Sequence, residues 1–250
     1  MVSRDGRDGS LAWRSNLVRL QARQDGVTIV WLLDGAKHEE LDRLRELIDV
    51  LPDGSHVVYA STCTVYGDAA GNPCTEDAPL RLVTPHARLK KAGEDLLTET
   101  PRITTAVLRL GALYGPDPRR IRTDRVTKWL TEARDRQTIT VPAPDHWRGW
   151  LHRDQAARAF HVAARERVSG TFNVAAANAT FAEAVATAAS LTDAEIITGG
   201  KRDLMDYQIE AERARGFGLL TEAPGEDLAA CTQAVAAQLF GISPKGDDGA

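Results

Sequence analysis

Cysteine is scarce in this chain: Cys63, Cys74 and Cys231 are the only three in 250 residues. Their odd number and lack of metal-ligand spacing speak against a disulfide framework or a metal centre, and fit reduced thiols in a cytoplasmic protein. An excess of positive charge is lacking too. The formal net charge of −4 leaves no footprint for nucleic acid. No apolar run approaches the ~20 residues that span a membrane. Met1 to Ser10 have no apolar centre of the kind a signal peptide needs. Internal repeats are absent as well. These absences speak against nucleic acid and a membrane as partners.

What is present suits a globular α/β protein, with 43% hydrophobic and 26% charged residues. Val57 to Ala60 form an unbroken apolar run of the kind buried on both faces of a parallel sheet. Ser61, Thr62 and Thr64 follow, then Gly67. In open α/β sheets the ligand crevice lies past the carboxyl ends of the strands, so these hydroxyls stand where a substrate is met. The plainer alternative is a strand ending in a polar turn.

Upstream, residues 1–10 read as a flexible tail and Leu11 to Gln24 as a short helix. Val27 to Leu33 is a strand closed by Asp34-Gly35. His38 to Val50 puts Leu41, Leu44, Leu47 and Ile48 on one helical face. Downstream, a loop carries Pro73, Pro79 and Pro85, a helix runs from His86 to about Thr98, and Thr104 to Leu110 is a strand. A helix near 125–134 and strands near Ile139 and Trp150 follow. Asp154 is placed to cap a helix through Ala163. Thr171 to Val174 is a strand, and Thr180 with Glu183 forms a capping box. A last helix starts near Glu226, and 244–250 reads as a second flexible tail. Strands alternating with helices predict a doubly wound parallel sheet.

Five segments together resemble the NAD-dependent epimerase/dehydratase family, the extended short-chain dehydrogenases. Ala60-Ser61-Thr62-Cys63-Thr64-Val65-Tyr66-Gly67 is similar to that family's Ser-Ser-x-x-Val-Tyr-Gly segment. His86 to Lys90, with Glu94 beyond, is similar to its Tyr-x-x-x-Lys helix. Arg109 to Pro116, Arg148 to Asp154 and Gly170 to Val174 match three further family segments, in the family's order. The resemblance implies a Rossmann-like doubly wound sheet, incomplete at its N-terminal side, with a small C-terminal α/β substrate-binding lobe. It divides the chain into a core over 11–116 and, over 117–243, the remaining core elements interleaved with the lobe.

The departures bear on function. The family's Gly-x-x-Gly-x-x-Gly turn lets bare backbone approach a pyrophosphate at a helix N-terminus. That glycine spacing occurs nowhere here. By the resemblance, Val27 to Leu33 is the fourth strand of the sheet, so roughly the first three are lacking. Either the natural chain begins further upstream, or the protein works without a dinucleotide cradle. In the second case Val27 to Leu33 becomes an edge strand that residues 1–24, a second copy in a homo-oligomer such as a dimer, or a partner protein must cover.

The resemblance also assigns roles. Thr62 stands at the hydroxyl position that hydrogen-bonds the reacting oxygen. Lys90 stands at the catalytic lysine that holds the nicotinamide ribose, and His86 replaces the tyrosine acid/base. Imidazole can move protons near its unperturbed pKa of about 6.5. It reaches roughly 1–2 Å less far than a phenol, and ~1 Å of misplacement can cost ~100-fold. Arg148 stands at the arginine that grips the substrate diphosphate, with an ion pair as the alternative. Arg119, Arg120, Arg122 and Arg125 either assist an anionic ligand or form a solvated face. Cys63 and Thr64 replace the acidic pair of the family's dehydratases, which speaks against 4,6-dehydration, and Cys63 reads as a buried thiol. Ala112 and Gln155 replace substrate-contacting family residues.

Three functions follow from these assignments. The first is an NAD(P)-using enzyme of the family's ordinary kind, an oxidoreductase or isomerase acting on a nucleotide sugar or similar polar compound; the absent glycine turn argues against that cofactor. The second is a cofactor-independent isomerase, lyase or cyclase with His86 as base. The third is a non-catalytic relative that binds another protein.

Overall fold

The computed structural model describes residues 19, 25–32, 39–116, 124–201, 203–221 and 227–241. The chain begins with β1 (Thr28–Trp31), α1 (Glu39–Val50) and β2 (His56–Thr62), and a 3-10 turn over Cys63–Tyr66 leads to β3 (Asp68–Cys74). Next come α2 (Pro85–Thr98), β4 (Thr104–Leu110), β5 (Ala112–Tyr114), α3 (Arg125–Arg136), β6 (Thr138–Val141) and β7 (Trp147–His152). The last part holds α4 (Arg153–Arg165), β8 (Gly170–Val174), β9 (Ala177–Thr180), α5 (Phe181–Thr192), β10 (Glu195–Thr198), β11 (Asp206–Ile209), α6 (Glu212–Gly216) and α7 (Leu228–Phe240).

The expected doubly wound parallel sheet is there, in the order β1-β2-β4-β8. Alternation along β2 and β4 decides which helix each residue meets. Val57, Tyr59 and Val107 join Leu44, Leu47 and Leu97 of α1 and α2 on one face. Val58, Ala106 and Leu108 join Ala156, Ala159 and Ala163 of α4 on the other. Both faces are covered, which is why these strands read as continuous apolar runs. A separate apolar cluster, with Trp129, Trp150, Phe181 and Val235 at its centre, holds α3, α5 and α7 together as the C-terminal lobe.

Several local expectations need correction. The residues read as a loop after Gly67 contain β3, which pairs in parallel with β11. Its sequence, with Gly71 and Pro73, carries no strand signal; pairing with a distant segment overrides local propensity. β1 is shorter than Val27–Leu33 and, among the described residues, pairs only with β2. On α1 the buried stripe runs through Glu40, Leu44, Leu47 and Ile48, with the acid Glu40 inside it and Leu41 half-buried. The cap of α4 is His152, whose Nδ1 accepts from the Asp154 backbone N–H, and Asp154 lies in the first turn. The capping box of Thr180 and Glu183 forms as expected. The tails, the segment Leu11 to Gln24 apart from Arg19, and Arg119, Arg120 and Arg122 lie outside the described residues. No described helix is long and apolar enough to cross a membrane.

At the amino end of β2, the wholly buried His56 ties the sheet to α4. Its Nε2 lies 3.2 Å from the Ala163 carbonyl and its Nδ1 2.9 Å from the Thr104 hydroxyl. A carbonyl can only accept, so Nε2 carries the proton and Nδ1 accepts from Thr104. Burial, helped by the Arg167 charge, holds the His56 pKa below 6.5. The unfolded chain therefore takes up a proton before the folded one does, and stability falls as pH drops below about 6.5. Urea unfolding at pH 7.5 and 5.5 should show a smaller loss of stability in His56→Gln than in the wild type. Equal losses in the two proteins would contradict this.

Candidate active site

α2 connects two parallel strands, so it runs back antiparallel to them and its first turn lies at their carboxyl ends. Thr84 caps it by accepting from the Ala87 N–H at 3.1 Å, and Pro85 occupies the first turn, where its missing N–H costs nothing. His86 is thereby held, half-buried, at the same end of the sheet as Thr62. Thr62 ends β2 and caps the 3-10 turn, its hydroxyl lying 3.2 Å from the Thr64 N–H and 3.1 Å from the Thr64 hydroxyl. Gly67 closes that turn at φ +61°, where a Cβ would run into the Arg81 backbone.

Lys90, one turn after His86, points into the protein. Its Nζ lies 2.8 Å from Glu40 Oε1 with both side chains 4% exposed, and it sits 5.2 Å from the centre of the Tyr59 ring. The other Glu40 oxygen, Oε2, is buried without a hydrogen-bond partner. Leaving such an acceptor unmet costs about 1–3 kcal/mol.

Several residues that carry the sequence motifs form a single buried network. Arg109 holds Glu94 with a fork, Nε to Oε1 at 3.1 Å and Nη2 to Oε2 at 2.8 Å. Its Nη1 donates to the Tyr66 hydroxyl at 2.9 Å and the Glu76 carbonyl at 3.1 Å. Tyr66 donates to Asn173 Oδ1 at 2.7 Å, and the Asn173 amide donates to the carbonyls of Cys74 and Glu210. Ser61 donates to Glu94 as well. Burial opposes the Arg109 charge, but the Glu94 hydrogen bonds and charge raise its pKa above the ordinary value. Cys63 is fully buried, and burial pushes its thiol pKa far up; it donates to the Arg109 carbonyl at 3.1 Å. A protonated buried thiol is no nucleophile.

In the lobe, Arg148 on β7 is 3% exposed. It bonds to Asp203 and to the carbonyls of Trp147 and Met205, and packs against the rings of Phe181 at 4.8 Å and Tyr207 at 5.1 Å. Arg125, the first residue of α3, faces the same cluster. Its guanidinium lies 4.4 Å from the Phe181 ring centre and has no hydrogen bond or ion pair among the described residues. Burial lowers its pKa, Asp203 opposes that, and the Arg148 charge adds to it. Two guanidiniums thus share one ring and one carboxylate.

The sequence expectations named Thr62, His86, Lys90 and Arg148 for the site, and Arg125 within a cluster of arginines. The first two lie at the same, carboxyl end of the sheet, whereas Lys90 and Arg148 each meet a buried carboxylate. Glu40, Glu76 and Asp203 were missed. The only available signal was for Glu40, an acid at the spacing of an otherwise apolar stripe. Other glycines close to neighbours also pack on protein groups: Gly93 on the Tyr59 hydroxyl, Gly111 on Gly149 and Gly115 on the His152 ring.

A doubly wound parallel sheet with hydroxyl and imidazole groups past its strand ends defines the class of α/β proteins that bind ligands in that crevice. Residues 40–175, more than half the chain, match the model of the NAD dependent epimerase/dehydratase family, and the chain belongs to that family. UDP-arabinose 4-epimerase 1 of Arabidopsis thaliana is 31% identical over 65 residues, which are 25% of this chain and 16% of that protein. The chain thus spans about a sixth of the curated relatives it matches. Among solved structures, MoeE5 in complex with UDP-glucuronic acid and NAD superposes with a TM-score of 0.72 at 21% identity, covering 91% of this chain and 84% of that one. UDP-N-acetylglucosamine 4-epimerase from Bacillus cereus superposes with a TM-score of 0.72 at 18% identity, covering 93% and 82%. These likenesses establish the shared fold.

Glu94→Gln breaks the fork and leaves Arg109 as an uncompensated buried charge, a loss of about 3–5 kcal/mol. Denaturant unfolding should register it, and a loss below about 1 kcal/mol, the scale of an exposed pair, would show that the network does not hold the core.

Proposed function

We propose that the chain binds a nucleotide-activated sugar or a similar phosphate-bearing compound and moves a proton on it without holding a dinucleotide of its own. The observation that carries this reading is Arg125. A half-buried guanidinium without a hydrogen-bond acceptor among the described residues, at the N-terminus of a twelve-residue helix and beside a second arginine, calls for an anion. A diphosphate meets that need, and Arg148 supports it from behind while its own donors stay with Asp203. The anionic handle then lies in the lobe and the reacting carbon in the crevice at Thr62 and His86.

His86 acts there as the proton acceptor, and the Thr62 hydroxyl donates to the oxygen on which negative charge develops. This is the chemistry of an isomerase or lyase working beside a carbonyl. A dinucleotide fits the residues poorly. Lys90 is taken up by Glu40, and the 250 residues contain no Gly-x-x-Gly-x-x-Gly turn.

Among the described residues β1 pairs only with β2, which favours a second role, association with a second copy of the chain. Val30 in β1 is 40% exposed and Leu32 just beyond it 60%. Light scattering should show a dimer that Val30→Lys with Leu32→Lys dissociates. A monomeric wild type would refute that role.

Calorimetric titration with UDP and UDP-glucose tests the main reading. Saturable binding is expected, weakened about 10- to 100-fold by Arg125→Ala, the scale of a hydrogen bond to a charged group. His86→Ala should keep that affinity and lose turnover measured without added nicotinamide. Absence of binding by the wild type would overturn the assignment.

A further inference from the structure

We propose that Glu40 is the built-in partner of Lys90. Its carboxylate takes the place that the family resemblance gives to the hydroxyls of a cofactor ribose, and the lysine becomes a brace between α1 and α2. The inference deepens the cofactor-free part of the proposed function and rests on that part alone.

Three observations converge on it. The ammonium and carboxylate meet at 2.8 Å with each side chain 4% exposed, so the pair is closed off from solvent. Glu40 sits at the first position of the stripe Glu40, Leu44, Leu47 and Ile48, which packs α1 onto the sheet. An acid at such a position forfeits the burial an aliphatic side chain would contribute, so a charge must hold it there. Finally, Glu40 Oε2 accepts nothing. Among the described residues, the donor that meets the carboxylate is the Lys90 ammonium, a partner of opposite charge. The Tyr59 ring, 5.2 Å from Nζ, supplies a further face of the same enclosure.

The consequences can be measured on the protein without any ligand. A lysine that serves a cofactor can be replaced without harm to the unliganded fold. A lysine that neutralises a buried acid cannot. Glu40→Gln and Lys90→Met should each lower Tm by about 6 °C or more. The double variant Glu40→Leu/Lys90→Met, with neither charge, should melt no lower than the worse single variant. Should the singles fail to fold, the double variant decides: soluble, cooperatively melting protein supports the pair, and an unfolded double variant overturns it. In parallel, titration of the wild-type chain with NAD+ and NADH should show no saturation to about 1 mM, a level at which only about 4 kcal/mol of binding would escape detection. Saturable NAD(H) binding that Lys90→Met weakens tenfold, or a Tm unchanged in Lys90→Met, would overturn the proposal. Neither result would touch the UDP titration, so the failure of this inference and the failure of the proposed ligand are separately visible.

Discussion

The guanidinium fork of Arg109 on Glu94 is the constraint around which the core is arranged. β4 supplies the arginine, α2 the carboxylate, β2 the hydroxyl of Ser61, and the turn after β2 the phenol of Tyr66. Asn173 extends the network from β8 to the carbonyls beside β3 and β11. Apolar burial alone would let these elements slide. Directional bonds to a buried charge permit one arrangement only, because each unmet donor or acceptor in the interior carries a penalty. The carboxyl ends of three strands and the start of α2 are thus set relative to one another, and with them Thr62 and His86.

The charges around the crevice divide into two kinds. Arg109 with Glu94, Lys90 with Glu40 and Arg148 with Asp203 are buried pairs that balance within the fold. Arg125 has no such partner among the described residues. Its guanidinium keeps a cation–π contact with Phe181 and shares its surroundings with Arg148, so burial and like charge both press on it. Arg125, which the sequence offered only as one of a cluster of arginines, is therefore the residue proposed to meet a ligand's anionic end, while Lys90 and Arg148 face inward onto carboxylates.

The fold was largely legible in the sequence. The apolar runs of β2 and β4, the capping box before α5 and the alternation of strands with helices follow from periodicity and turn chemistry, which act over a few residues. β3 and β11 were not legible, since Asp68 to Cys74 contains Gly71 and Pro73 and becomes a strand only through its distant partner. The cap of α4 was misjudged for a similar reason. Asp154 has the usual capping chemistry, but the path of β7 puts His152 at the cap position.

For the site, the sequence by itself determined which side chains are available: Thr62, His86, Lys90 and Arg148 at positions the resemblance assigns, and no Gly-x-x-Gly-x-x-Gly turn within these 250 residues. Only the tertiary structure decided what each of them touches. Whether a lysine or an arginine meets a ligand or a carboxylate depends on partners about fifty residues away, Glu40 for Lys90 and Asp203 for Arg148. Local spacing carries no information about such partners. They are chosen by how helices and strands pack, and packing places charge against charge wherever a buried ion would otherwise stand alone.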